Sequence, residues 1–292
     1  MYTKEKGGII PAEAAKHHKL VYHQIIKKAL HDAQTTKIDL LAFSHGPGLA
    51  PCLHVGLEAA KEYAHELQIP LIGVNHCCAH LSSAHLFTSV KDPIYIFVSG
   101  ANTQIISLEA QRFRILGETL DMGMGNALDK IGRSLDLGFP SGPLIEILAK
   151  KGTYVELPYS VKGMDLSFSG ILTAAIDKFK KGATKEDLCF SIQETFFAML
   201  TEVTERALAH IKKEEAVIIG GVAANKRLYE MLSMMCLERG AIFSAVPLHY
   251  AGDNAVNISW QGILEYLSDK REQLSDIHPY ERIDDVRVFW EY

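Results

Sequence analysis

Leu71-Ile72-Gly73-Val74-Asn75-His76-Cys77-Cys78-Ala79-His80 decides the class of the fold. Its apolar opening reads as a buried strand. His76 and His80, four residues apart, then fall on one face of a helix that starts where the strand stops. Two imidazoles so placed suit a divalent metal. The spacing alone is weak evidence, because thirteen histidines in 292 residues give about 0.6 such pairs by chance. The pair needs a third ligand, and the best one in the sequence is Asp253 in Tyr250-Ala-Gly-Asp-Asn-Ala.

Upstream lie a short strand at Leu40–Phe43, the loop Ser44-His-Gly-Pro-Gly, a helix from about His54 to Leu67 and a strand at Pro70–Val74. Strand, loop, helix and strand in that order predict an α/β domain with parallel pairing. Before them, Pro11 opens a helix running towards His31, since the N–H that proline lacks is not needed in a first turn. Ala15, Leu20, Ile25, Ile26, Ala29 and Leu30 give this helix an apolar stripe. Lys16, His17, Lys19, His23, Lys27 and Lys28 make its other face basic: either a solvated face or a contact surface for RNA or a partner subunit.

Downstream, a hairpin begins at Pro93, with Ser99-Gly-Ala-Asn-Thr at its bend, where backbone N–H groups can hold an anion. Gly117–Pro143 is rich in glycine and acids. Helices are expected over Leu144–Lys151, Ser169–Lys180 and Leu188–His210. The β/α pattern returns at Ala216-Val-Ile-Ile, followed by the pair Gly220-Gly221 and a helix from near Ala224. Glycines there let the backbone approach a flat ligand, because no Cβ intervenes.

With 48% hydrophobic and 22% charged residues, the chain can bury a core large enough for one big domain or two lobes. A net charge of −5 argues against nucleic-acid binding through the whole surface, so any such contact is local or shared with a partner. The five cysteines include no C-x-x-C pair, which disfavours a disulfide framework or a zinc knuckle and fits a reducing cytoplasm. The charged opening Met1-Tyr-Thr-Lys-Glu-Lys-Gly-Gly, and the lack of any run approaching ~18 apolar residues, predict neither secretion nor membrane insertion.

Six motifs occur together and in order: Gly46-Pro-Gly-Leu-Ala, Asn75-His-Cys-Cys-Ala-His, Val98-Ser-Gly-Ala-Asn-Thr-Gln, Leu166-Ser-Phe-Ser-Gly, Gly220-Gly-Val-Ala-Ala-Asn and Gly252-Asp-Asn-Ala. The set resembles the universal tRNA N6-adenosine threonylcarbamoyltransferase family, once misassigned as an O-sialoglycoprotein endopeptidase. Leu116-Gly-Glu-Thr-Leu-Asp and the ending Asp285-Val-Arg-Val-Phe-Trp resemble its archaeal and eukaryotic branch, the catalytic subunit of the KEOPS complex.

That resemblance implies an actin/hexokinase/Hsp70-like α/β fold of two lobes around a nucleotide cleft, with 1–92 and 252–292 as the N-terminal lobe and 93–251 as the C-terminal lobe. It implies transfer of the threonylcarbamoyl group from threonylcarbamoyl-AMP to N6 of the adenosine just 3′ of the anticodon, in tRNAs reading codons that begin with A. Carried over by motif, His76, His80 and Asp253 hold one iron or zinc ion. Phe97, Val98, Ser99, Gly100, Ala101, Asp129, Gly142, Glu146 and Asn225 contact nucleotide or substrate.

The residue types suit that chemistry. A carboxylate such as Asp129 or Glu146 can take both ribose hydroxyls, and glycine N–H groups can satisfy a phosphate. A metal on two imidazoles and a carboxylate keeps open positions and acts as a Lewis acid and template. No residue stands out as a general base. The implied partners are tRNA and the KEOPS subunits: a small dimeric subunit on the N-terminal helices, an atypical kinase/ATPase on the other lobe and a tRNA-binding subunit beyond it. Assembly across subunits would supply the tRNA affinity that an acidic chain lacks.

Blander readings stand beside these. His76 or His80 could be a hydrogen-bonded core histidine, Asp129 a helix-surface acid and Gly142 a turn former. Cys77 and Cys78 read as packing residues, and Ser167 and Ser169 as loop and cap residues. Family members normally open with about thirty more residues, including a Gly-Ile-Glu-type strand, so this chain is expected to lack the opening strands of the N-terminal lobe. Phe97 stands where relatives often carry a metal-contacting tyrosine, and Ala101 where a second glycine is common. The alternatives are an impaired scaffold subunit of the same complex, or an ATPase or sugar kinase of the same fold. A zinc protease is disfavoured by Cys77 at the position of the catalytic Glu in H-E-x-x-H.

Overall fold

The computed structural model describes residues 9–35, 37–268 and 276–292; the charged opening Met1–Gly8 lies outside the described residues. The chain divides into two units, one formed by Met1–Ser83 with Asn254–Tyr292 and one by Ala84–Asp253.

The first unit starts with α1 (Pro11–Asp32), β1 (Leu41–Gly46), α2 (Ala50–Leu67), β2 (Leu71–Asn75) and α3 (His76–Phe87), the last of which runs across the division at Ser83/Ala84. β1 and β2 pair in parallel from Leu41↔Leu71 to Gly46↔Asn75, as the strand, helix, strand order predicts. Phe43, Leu57 and Ala60 form a small core between them and α2. α2 begins at Ala50 rather than His54, because Pro51 falls in its first turn, where proline costs nothing. α1 lies on α2: Tyr22 donates to Glu62 at 2.8 Å, and the His23 ring meets the Tyr63 hydroxyl at 3.0 Å.

The second unit is built on a five-stranded sheet. β3 (Ile94–Val98), β4 (Thr103–Glu109) and β5 (Arg112–Glu118) form an antiparallel meander, so the expected hairpin has a third strand. β3 also pairs in parallel with β8 (Glu215–Ile219), which pairs with β9 (Ile242–Ala245), giving the order β5-β4-β3-β8-β9. All five residues of β3 are buried, as befits a central strand covered on both faces.

The glycine-rich middle holds α4 (Met124–Ser134), which the composition hid. Met124, Ala127, Leu128 and Ile131 recur at helical spacing and are buried. α5 (Gly142–Ala149), the short pair β6 (Val161–Lys162) and β7 (Asp165–Leu166), α6 (Ser169–Lys180) and α7 (Lys185–Ile211) follow. α7 is the spine of the main core: Leu188, Ile192, Phe196, Phe197, Leu200 and Val203 are fully buried on it, and Thr184 caps it by accepting from Asp187 N–H.

Ser169 is the first residue of α6 rather than its cap. The capping acceptor comes from far away in sequence: the Asp121 carboxylate takes the Phe168 and Ser169 N–H groups at 2.8–3.1 Å. Burial pushes the Asp121 carboxyl up, but these bonds and one from Met122 N–H outweigh it and hold it below its usual value. After the glycine pair, a 3₁₀ turn at Gly221–Ala224 precedes α8 (Lys226–Glu238), so that helix starts two residues beyond Ala224. α9 (Leu248–Ala251) closes the second unit. α10 (Ala255–Leu267) returns to the first unit and packs on β1 closely enough that a Cβ on Gly262 would lie 2.5 Å from Ala42 Cβ.

Candidate metal and nucleotide site

β2 passes into α3 without a loop residue. The turn is possible because the Asn75 side chain does the work of an N-cap, its Oδ1 accepting from Cys77 N–H at 2.9 Å and Cys78 N–H at 3.1 Å. His76 and His80 therefore sit on consecutive turns, their rings 4.7 Å apart and nearly perpendicular. His80 is buried and His76 half-buried.

Asp253 ends the second unit and is peptide-bonded to Asn254, which caps α10 by accepting from Asn257 N–H at 3.1 Å. Each end of the candidate ligand set thus neighbours an asparagine cap that fixes its backbone. One ligand atom from each of His76, His80 and Asp253 can be chosen such that the three lie within 4.8 Å of one another, a possible metal-binding triad. Two imidazole nitrogens and a carboxylate oxygen match the donors that iron and zinc take in open sites. Cys77 and Cys78 are buried, and burial pushes the Cys78 thiol well above its ordinary value, so it behaves as a packing residue.

Within the second unit, a cavity of about 450 Å³ is lined by several of the residues proposed from the sequence: Gly100, Asp129, Gly142, Glu146 and Asn225. That volume lies in the range of small-ligand sites. Leu128, Pro140, Val222 and Ala224 give it apolar walls, and Asp129 and Glu146 are its carboxylates. Asp129 Oδ1 accepts from Ser141 N–H at 2.7 Å, and Glu146 Oε1 from Lys226 N–H at 3.3 Å, so each carboxylate also ties down the start of a helix.

Asn225 is committed to structure. Its Oδ1 accepts from the Arg227 and Leu228 N–H groups at the start of α8, and its Nδ2 donates to Gln193 Oε1 at 3.1 Å. Its oxygen and one of its two amide hydrogens are thus engaged within the protein, while the residue lines the cavity. Gly221 lines the cavity, and a Cβ there would meet nothing within 4 Å. Gly220 has φ +101°, and a Cβ on it would lie 2.3 Å from Val98 O.

The β3–β4 bend abuts the start of α4. Gly125 N–H donates to Ser99 O at 3.1 Å and Asn126 N–H to Gly100 O at 3.0 Å. Ser99 N–H is spent on Asn102 O at 2.8 Å, which removes one of the groups expected to hold an anion. Phe97 and Val98 are fully buried, whereas Gly100 and Ala101 are exposed. Leu128 and Pro140 had no signal of their own as site residues in the sequence, and Val222 and Ala224 lay inside the Gly220-Gly-Val-Ala-Ala-Asn motif with no role assigned; the fold brings all four to the cavity as apolar lining.

No helix among the described residues is long and apolar enough to cross a membrane. The chain is 50% identical over 295 residues to the tRNA N6-adenosine threonylcarbamoyltransferase of Thermococcus kodakarensis, covering 99% of this chain and 90% of that one. It is 51% identical over 293 residues to a probable bifunctional tRNA threonylcarbamoyladenosine biosynthesis protein of Methanocorpusculum labreanum, where it spans 56% of the relative's length. Among solved structures it resembles T. kodakarensis HypF, with a TM-score of 0.61 at 17% identity over 79% of this chain and 41% of that one, a likeness of fold. The family model of TsaD, tRNA N6-adenosine threonylcarbamoyltransferase, matches residues 1–260. The chain belongs to the TsaD family, enzymes that modify tRNA by acyl transfer.

Proposed function

We propose that the chain transfers a threonylcarbamoyl group from threonylcarbamoyl-AMP to N6 of the adenosine 3′ to the anticodon, in tRNAs reading codons that begin with A. In this reading the adenylate's nucleoside occupies the cavity of the second unit. Leu128, Pro140, Val222 and Ala224 face the purine, and Asp129 and Glu146 accept from ribose hydroxyls. The observation that carries the reading is the cavity itself, which gathers two carboxylates and glycine backbone on an apolar wall.

In the reaction, the adenosine amine attacks the carbamoyl carbon and forms the new C–N bond. The C–O bond to phosphate breaks, AMP leaves with its electron pair, and the amine's proton passes to solvent. His76, His80 and Asp253 hold one divalent ion, iron or zinc, which supplies Lewis-acid polarisation and a template for the donor when bound. The cavity residues orient the donor and keep its leaving group in place. The test is incorporation of threonylcarbamoyl into tRNA by the purified chain with its partner proteins. Product is expected from the wild type, and its absence under conditions where the T. kodakarensis relative is active would refute the reading.

In this reading the N-terminal lobe carries the partner contacts and the histidines, the C-terminal lobe carries the nucleotide, and the protein works in the cytoplasm. KEOPS-type partners complete the assembly, with the small subunit on α1. In support, Leu20 is 77% exposed and Ile25 60% exposed on that helix. Charge reversal at Lys19 and Lys27 is expected to weaken the complex; unaffected assembly would argue against this face.

A further inference from the structure

Glu281 lies far from the histidines in sequence, in the C-terminal segment after α10, yet its carboxylate reaches the start of the histidine helix. Glu281 Oε2 accepts from Asn75 Nδ2 at 2.7 Å and faces His45 Nε2 at 2.8 Å. Asn75 and His45 stand at the ends of two parallel strands, where Gly46 pairs with Asn75, so one oxygen ties β2 to β1 where both strands finish. Asn75 is 2% exposed and His45 4% exposed, so neither can turn to water for a substitute partner.

The segment carrying Glu281 is itself anchored. His278 N–H donates to His45 O at 2.7 Å and Gly48 N–H to Pro279 O at 3.1 Å. The approach is so close that a Cβ on Gly46 would fall 1.9 Å from His278 O. On the other side, Trp260 of α10 donates to Ser82 O at 3.2 Å, fixing the second half of the histidine helix. Burial alone would raise the Glu281 carboxyl, but the His45 and Asn75 hydrogen bonds outweigh it and hold the group below its ordinary value, so it is an anion at neutral pH.

Asn75 has one arrangement that satisfies both of its polar atoms: oxygen to the Cys77 and Cys78 N–H groups, nitrogen to a carboxylate. With no loop between β2 and α3, the orientation of that side chain is also the orientation of the first turn that carries His76. We propose that Glu281 is a positioning residue for the metal pair: acting through Asn75, it holds α3 so that His76 and His80 present their rings to a divalent cation. The inference rests on the metal reading of the triad and adds a residue that coordinates nothing.

The experiment measures zinc affinity of the whole chain by competition with a chromophoric chelator, alongside melting in EDTA. Wild type is expected to bind one zinc. Glu281→Ala should weaken binding about 10-fold or more, in the manner of lost outer-shell partners, whereas Glu281→Gln, which keeps an acceptor oxygen, should bind nearly as wild type. Asn75→Asp preserves the cap acceptor but sets a second carboxylate against Glu281, and should weaken binding. Adding Glu281→Gln to it supplies an amide donor and should restore binding.

Simple loss of negative charge near the metal would shift the double variant the other way, and the pair gives the answer even if Glu281→Ala does not fold. Zinc affinity unchanged in Glu281→Ala despite a lower melting temperature, or no recovery in the double variant, overturns the proposal while leaving the triad intact. No zinc binding by wild type overturns both.

Discussion

Ser141 donates its backbone N–H to Asp129 Oδ1 at 2.7 Å, joining the start of α5 to the middle of α4 beside the cavity that Asp129 lines. In the proposed nucleotide site the carboxylate would have two duties, one oxygen fixing a loop and the other accepting from a ligand. Asp129→Asn separates them, because the amide oxygen can still accept from Ser141 while the amide nitrogen cannot accept from a ribose hydroxyl. The expected outcome is a 10- to 100-fold weaker Kd for AMP by calorimetry, about the 1.5–3 kcal/mol of a charged hydrogen bond, with the melting temperature nearly unchanged. Equal AMP affinity would remove Asp129 from the nucleotide site.

Gly220 tests the backbone next to the same cavity, which its neighbour Gly221 lines. Its φ of +101° disfavours any L side chain, and an added Cβ would overlap Val98 O on the neighbouring strand. Gly220→Ala should lose about 2–4 kcal/mol of stability in urea unfolding. Gly221→Ala meets no neighbour within 4 Å of its Cβ and should leave stability within about 0.5 kcal/mol.

The contrast between these positions shows what the sequence could and could not say. That His76, His80 and Asp253 come together was legible from the histidine spacing and the Gly252-Asp-Asn-Ala motif; the glycine pair was read as admitting a ligand, whereas Gly220 is there because Val98 O lies against it. The parallel β1–β2 pair followed from the alternation of strand and helix signals. α4 was not legible: Gly123, Gly125 and Gly132 break its helix signal, yet they are there because the Ser99–Ala101 bend and Ser141 press against that helix. Asp121 and Glu281 were invisible for a different reason. Each acts across a long stretch of chain, on the start of α6 or of α3, and a lone acid carries no mark of a distant partner.

His85 gives the fold a pH dependence with a definite sign. Burial pushes its pKa from 6.5 down to about 4, so in the native state the ring stays neutral beside the Tyr95 hydroxyl at 2.7 Å. Between about pH 4 and 6.5 the unfolded chain binds more protons than the folded one, and stability falls as pH drops through that window. The loss is on the order of 1–3 kcal/mol by linkage. His85→Gln should flatten the denaturation midpoint over that window; a midpoint that falls as steeply in the variant as in wild type would assign the pH dependence to other groups.

The metal set and the nucleotide cavity meet in a single assay: threonylcarbamoyladenosine formed in tRNA, counted by mass spectrometry after a single turnover with threonylcarbamoyl-AMP and partner proteins. Wild type should convert the acceptor adenosine. His80→Ala and Asp253→Ala should fall by at least about 100-fold while still binding AMP in the second unit with wild-type affinity. Undiminished product in both variants would contradict the assignment of these residues to the acyl-transfer site.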